Sequence, residues 1–247
     1  MKRSDRQNAL VVSAIALCFM LTLGLSYFLA GEGFLLAFNQ SEADEKCYLL
    51  CAGSYENAEL ARNAAELVRS RGGAGYVMTK ERAEVVLAAY KSREDAEKVV
   101  ESGSAGGGAY ILEVPVGEVS VSWAEESLRD AAKSALGYFD IVFDCLYETA
   151  NGVAEGVLTL LDARTRVAVC RVRVEEMRED FLSREREESG AECTELKLAL
   201  VTAVALLENT ELADAQGEVK AVSSLRYQCV QLVLCREALF TALGGEK

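Results

Sequence analysis

The sequence predicts an α+β protein. A small antiparallel sheet with two helices follows an apolar membrane-spanning helix and precedes an all-α segment. Three observations carry this. Between Cys47 and Val116 the apolar pattern reads strand, helix, strand, strand, helix, strand. From Val119 onward the strand pattern gives way to apolar residues three and four apart. The 22 residues from Ala9 to Ala30 carry no charge. At 1.5 Å per residue they are long enough to cross a hydrocarbon core of about 30 Å.

Residues 1–8 carry Lys2, Arg3 and Arg6 against Asp5. The positive-inside rule assigns this tail to the cytoplasm and everything after Gly31 to the outside. A single-pass protein of the cytoplasmic membrane is expected, anchored by residues 9–30, with its C-terminus extracytoplasmic. A secretory signal peptide is the competing reading, because Ala30 and Gly31 are small enough for cleavage. The apolar run exceeds the usual signal core, which favours an uncleaved anchor. Residues 31–46 read as a juxtamembrane linker, polar and acidic from Gln40.

Residues 47–116 form the βαββαβ unit. Cys47–Ala52 is the first strand, and Ser54 is placed to cap a helix from Glu56 to Arg71. Ala58, Ala61, Ala65 and Val68 make its apolar stripe, and Gly72, Gly73 and Gly75 end it. Tyr76–Met78 and Val85–Tyr90 are the next two strands. Ser92-Arg93-Glu94-Asp95 is a capping box opening the second helix. Glycines from Gly103 to Gly108 close it, and Tyr110–Val114 is the last strand. The order is a split βαβ unit, an antiparallel sheet with both helices on one face.

Within it, Leu50-Cys51-Ala52-Gly53-Ser54-Tyr55 and Tyr90-Lys91-Ser92-Arg93-Glu94-Asp95-Ala96 resemble the two motifs of the SPOR domain. In that family the first reads apolar-Gln-apolar-Gly-Ser-aromatic, and in the second an aromatic precedes a Ser-Arg-Glu-Glu-Ala-like helix start. The resemblance covers under a third of the chain. It implies a module that binds peptidoglycan glycan strands stripped of stem peptides, in division or sporulation. It assigns glycan contact to Ser54, Tyr55 and Tyr90, and to Cys51, where the family's glutamine falls. The family's Gly-Pro before the second aromatic is Ala88-Ala89 here. Cys47, Leu49 and Cys51 leave the outer sheet face apolar, as does Val86. A covered outer face is therefore expected, since a bare apolar patch usually marks a contact.

Residues 119–247 read as a helical domain, a bundle or a set of helical hairpins. Ser122-Trp123-Ala124-Glu125 is a second capping box. Stripes follow through Leu128–Thr149, Val153–Phe181, Leu196–Leu207 and Val219–Leu239, with breaks at Asn151-Gly152, Ser189-Gly190 and Asn209-Thr210. Arg166–Val174 also alternates strictly enough for a strand. The unbroken helical stripe favours a helix.

Composition removes several functions. The net charge of −13 argues against nucleic acid as a partner. The absence of histidine removes the commonest general base and histidine-bearing zinc sites. The eight cysteines include no C-x-x-C pair, so no metal site is expected and most read as small buried apolar residues. Thr194-Glu195-Leu196-Lys197 has only the spacing of an acylating site, and reads as an ordinary helix turn. The glycines 103–108 lack a following Gly-Lys-Ser/Thr and read as a loop. Acidic pairs such as Glu125-Glu126 and Glu185–Glu188 read as solvated faces. Tyr48, Tyr55, Tyr76 and Tyr90 offer rings for sugar stacking or for the sheet core. No enzyme and no cofactor is expected. Two readings remain: a membrane-anchored cell-envelope protein that binds glycan, or a non-catalytic scaffold whose SPOR-like sheet binds protein, its own helical domain or a partner.

Overall fold

β1 (Lys46–Tyr55), α1 (Ala58–Ser70), β2 (Tyr76–Thr79), β3 (Ala83–Tyr90), α2 (Arg93–Glu101) and β4 (Tyr110–Pro115) follow one another in the computed structural model. It describes residues 46–79, 81–117, 126–184, 190–210, 212, 215 and 217–244. The expected anchor at 9–30, most of the linker at 31–46, the Ser122 capping box and the acidic Glu185–Glu188 run lie outside the described residues. The four strands form one antiparallel sheet in the order β2-β3-β1-β4. The βαββαβ order of the sequence is thus the order of the fold.

Local chemistry explains the boundaries. Ser54 does not cap α1. β1 runs on through Ser54, paired with Glu84, to Tyr55, paired with Ala83. The cap is Asn57, whose side chain accepts the Leu60 amide at 2.9 Å. Ser92 caps α2 as expected, accepting from the Asp95 amide at 3.4 Å. Gly75 takes the left-handed region at φ 56°, and a Cβ there would lie 2.4 Å from the Ala65 carbonyl oxygen. Only glycine lets the chain turn that closely past α1 into β2.

Five helices follow: α3 (Glu126–Leu136), α4 (Tyr138–Ala154), α5 (Leu160–Arg184), α6 (Ala191–Glu208) and α7 (Glu218–Ala242). The break expected at Asn151-Gly152 falls later, at residues 155–159. Gly152 stays helical because its carbonyl caps the end, accepting from the Val157 and Leu158 amides at 2.8 and 2.9 Å. Leu158 folds over Gly152, where a Cβ would meet its side chain at 2.6 Å. A further interruption at Gly137 separates α3 from α4. Arg166–Val174 is helical, inside α5. Val167, Cys170 and Val174 are buried at helical spacing, while Val169 and Val172 stand 65% and 47% exposed.

The sheet's two faces go to different partners. One packs on α1 through Ala61, Ala65, Ala83 and Val85. The other carries Cys47, Leu49, Cys51, Val86, Ala89 and Val114 into a core shared with Val142, Phe143, Leu146, Leu225, Cys229, Leu232 and Val233. Sheet and helices therefore bury one common interior, and the described residues form one compact unit.

Candidate functional site

Of the four residues singled out for glycan contact, Cys51 is fully buried, at 0% exposure, in the core shared with the helices. Ser54 and Tyr55 are half-buried at one end of the β1–β3 pair, and Tyr55 packs toward α1. Tyr90 lies at the other end, opposite Tyr48. Tyr48 and Tyr55 are seven positions apart, so the two ends are separated by about 23 Å of strand. The structure does not bring the four residues together.

The outer face is closed by α7, which lies against β3 and β4 with Cys229 beside Cys47. The expectation of a covered face holds here: Leu49, Cys51 and Val86 have no exposed surface. Three polar fastenings hold the cover at the rim. At the β2 edge, Ser223 Oγ donates to the Gly73 carbonyl at 2.8 Å, and Arg226 Nη1 donates to the Gly72 carbonyl at 3.1 Å. The rings of Tyr227 and Tyr76 meet there at 5.2 Å. At the exit of β4, Arg236 donates from Nε to the Val116 carbonyl at 3.1 Å and from Nη2 to the Gly117 carbonyl at 3.2 Å. Its guanidinium also sits 5.6 Å from the Phe139 ring centre.

The third fastening joins α4 to the end of β3. Lys91 Nζ pairs with Asp140 at 2.9 Å and Asp144 at 2.7 Å, and lies over the Phe143 ring. Burial alone would lower the Lys91 pKa, but the hydrogen bonds it donates to Asp140 and Asp144 outweigh this and hold the ammonium above its ordinary range. Beside it, the Tyr90 ring packs edge-on to Tyr147 at 6.0 Å. Burial pushes the Tyr90 hydroxyl up, and Tyr147 adds to the rise.

One crevice opens at this corner, lined by Ala88, Tyr90, Tyr147, Asn151 and Arg226 among others. Its volume of about 20 Å³ has room for a single water molecule and none for a sugar ring. Across the sheet, burial and then Glu84 push the Tyr110 hydroxyl up. Thr194 and Lys197 lie in α6 as an ordinary helical turn. Among the described residues no group of three or more His, Cys, Asp or Glu is placed to hold a metal, and no helix is long and apolar enough to cross a membrane.

No sequence motif marks the fastening residues, although one leaves a sign in the helical pattern. Leu225, Cys229, Leu232, Arg236 and Leu239 recur at spacings of four, three, four and three. An arginine on such a stripe is a buried arginine, and a buried arginine needs carbonyls or carboxylates around it. Asp140 and Asp144 are likewise one helical turn apart. Their partner Lys91, far off in sequence, could be paired with them only in the fold. No family model, no curated protein and no solved structure matches the chain.

Proposed function

We propose that the chain is a non-catalytic, membrane-anchored scaffold of the cell envelope, built on a SPOR-like sheet that binds its own last helix and not glycan. One observation carries this reading: Cys51 and Val86, on the face that meets glycan in the family it resembles, are buried under α7. The separation of Ser54 and Tyr55 from Tyr90 points the same way, because a single sugar chain segment needs its contacts on one surface. The resemblance itself rests on the βαββαβ order and on Ser54, Tyr55 and Tyr90. The apolar side chains in solvent on α5 and α6, notably Val169, Val172, Leu198 and Val201, are the surface offered to a protein partner. The charge-free Ala9–Ala30 run is the basis for the anchor.

Sedimentation of segment 40–247 with purified peptidoglycan tests the reading, before and after amidase removal of stem peptides. The scaffold reading expects the protein to stay in the supernatant in both cases. It also expects β1 and β3 amides to exchange only on global unfolding. Sedimentation with the stripped glycan that Tyr90→Ala abolishes would restore the glycan-binding reading. For the anchor, the full chain is expected in the membrane fraction after a high-salt wash. A C-terminal reporter active only in the cytoplasm would reverse the orientation.

A further inference from the structure

α4 and α5 pack along one another and each contributes a cysteine to the seam. Cys145 Sγ lies 3.8 Å from the Arg166 carbonyl oxygen, and Cys170 Sγ lies 3.7 Å from the Ile141 carbonyl oxygen. Arg166 is four residues before Cys170, and Ile141 is four residues before Cys145. Each thiol therefore rests on the helical turn that precedes the other cysteine. This reciprocal seating is that of two side chains facing each other. It turns the two sulfurs toward one another across the seam, the arrangement from which a disulfide can close. Both cysteines are free.

The pair is also asymmetric. Cys170 is 7% exposed, whereas Cys145 is only partly covered and can be reached from solvent. Around Cys145 stand Cys170, placed to donate a hydrogen bond to a Cys145 thiolate, then the Thr149 hydroxyl and the Arg166 charge, with Glu148 opposing. The Thr149 hydroxyl is fully buried and has no hydrogen-bond partner. A thiolate at Cys145 would supply the acceptor that it lacks. These neighbours, Cys170 first, lower the Cys145 pKa, and the same contact raises that of Cys170. The half-buried Cys235 has no such company, and burial raises its pKa.

We propose that Cys145 and Cys170 form a redox-active dithiol, in which a hydroperoxide oxidises Cys145 and Cys170 then closes a disulfide between α4 and α5. The Cys145 thiolate attacks the peroxide oxygen, and the O–O bond breaks. With hydrogen peroxide, hydroxide leaves and takes up the proton released when the thiol ionised, giving water and a sulfenic acid. Cys170 sulfur then attacks the Cys145 sulfur. The S–O bond breaks, and the departing hydroxyl leaves as water with the Cys170 proton. Two thiols and one peroxide become one disulfide and two waters. Two electrons pass from sulfur to oxygen, and nothing else is consumed.

The test treats the reduced, folded full-length protein with hydrogen peroxide at pH 7. Remaining thiols are alkylated at intervals, and the digest is read by mass spectrometry. The expected product is a Cys145–Cys170 linked peptide lacking the two thiol hydrogens. Cys145 should react about tenfold or more faster than Cys235, the difference that thiolate content makes. In Cys170→Ser, sulfenic acid at Cys145 should accumulate and be trapped by dimedone. In Cys145→Ser, Cys170 should stay reduced. If Cys145 reacts no faster than Cys235, or oxidises without linking to Cys170, the proposal is wrong. The unsubstituted protein alone decides this, whatever the variants do to folding.

Discussion

Arg236→Met isolates the fastening at the exit of β4. The native guanidinium is 7% exposed and supplies the donors for the Val116 and Gly117 carbonyls, which are themselves buried. Methionine keeps the unbranched stem and its packing but donates nothing. Two buried carbonyls left without donors cost about 1–3 kcal/mol each, or about 2–6 kcal/mol together. Loss of the Phe139 contact adds about 1 kcal/mol. Against this stands relief from burying a charge with no carboxylate beside it among the described residues, an offset of about 2 kcal/mol. The net expectation is a destabilisation of about 3 kcal/mol. At about 2–4 °C per kcal/mol for a unit of this size, the melting temperature should fall by about 6–12 °C. Urea denaturation followed by circular dichroism measures the change, with Arg236→Lys as the control that keeps charge but cannot span both carbonyls. If the methionine variant is as stable as the native protein, the arginine contributes nothing net to the fold, and its role as a fastening is refuted.

Replacing the buried thiol by an amide as Cys51→Gln should destabilise the protein by about 2–4 kcal/mol, because a larger polar group enters a site with no exposed surface; a stable variant in urea melts would show that the face can open. Lys91→Met should cost about 1 kcal/mol, since its ion pairs with Asp140 and Asp144 are half in solvent. The Lys91 pKa is raised in the fold, so this contribution is fully present below its ordinary value of 10.5. It should vanish as pH rises through the higher folded value, and a native–variant gap that instead closes between about pH 10 and pH 7 would contradict the assignment. Val174→Asp should be severely destabilising while Val172→Asp should change stability by under about 0.5 kcal/mol. Equal effects in thermal melts would mean that α5 does not present the face described.

The order of strands and helices was legible because turn chemistry and period agree along residues 47–116. Ser92 caps α2 as its spacing predicts, and the glycines after Arg71 end α1 where they stand. Ser54 misled because its position beside a strand end satisfies a capping pattern and a pairing register equally well. Only the partner strand, through Glu84 and Ala83, decides between them. The valine run from Arg166 was decided by which residues find burial, with Val167 and Val174 inside and Val169 outside. The covered face could be anticipated from Cys47, Leu49, Cys51 and Val86, since an apolar surface must be hidden. What hides it could not, because α7 has apolar residues on several sides and nothing local names its partner. The Lys91–Asp140–Asp144 cluster and the Cys145–Cys170 seating were illegible for the same reason: both exist only between elements distant in the chain.

The closing of the sheet by α7 also imposes an order on the chain's birth. Ser223 meets Gly73 across 150 residues, and Arg226 meets Gly72 across 154. A ribosome adding about 5–20 residues per second finishes β4 roughly 5–20 s before α7 begins to emerge. Throughout that interval a four-stranded sheet can assemble locally, yet its greasy side lacks the helix that closes it. The nascent protein must shield that surface with a chaperone, or leave the sheet loosely formed until synthesis reaches Glu218. Such long-range closure also predicts slow refolding from denaturant, with the last helix docking late. If the chain crosses a membrane as it is made, the wait takes place on the far side, where the shielding factor must also reside.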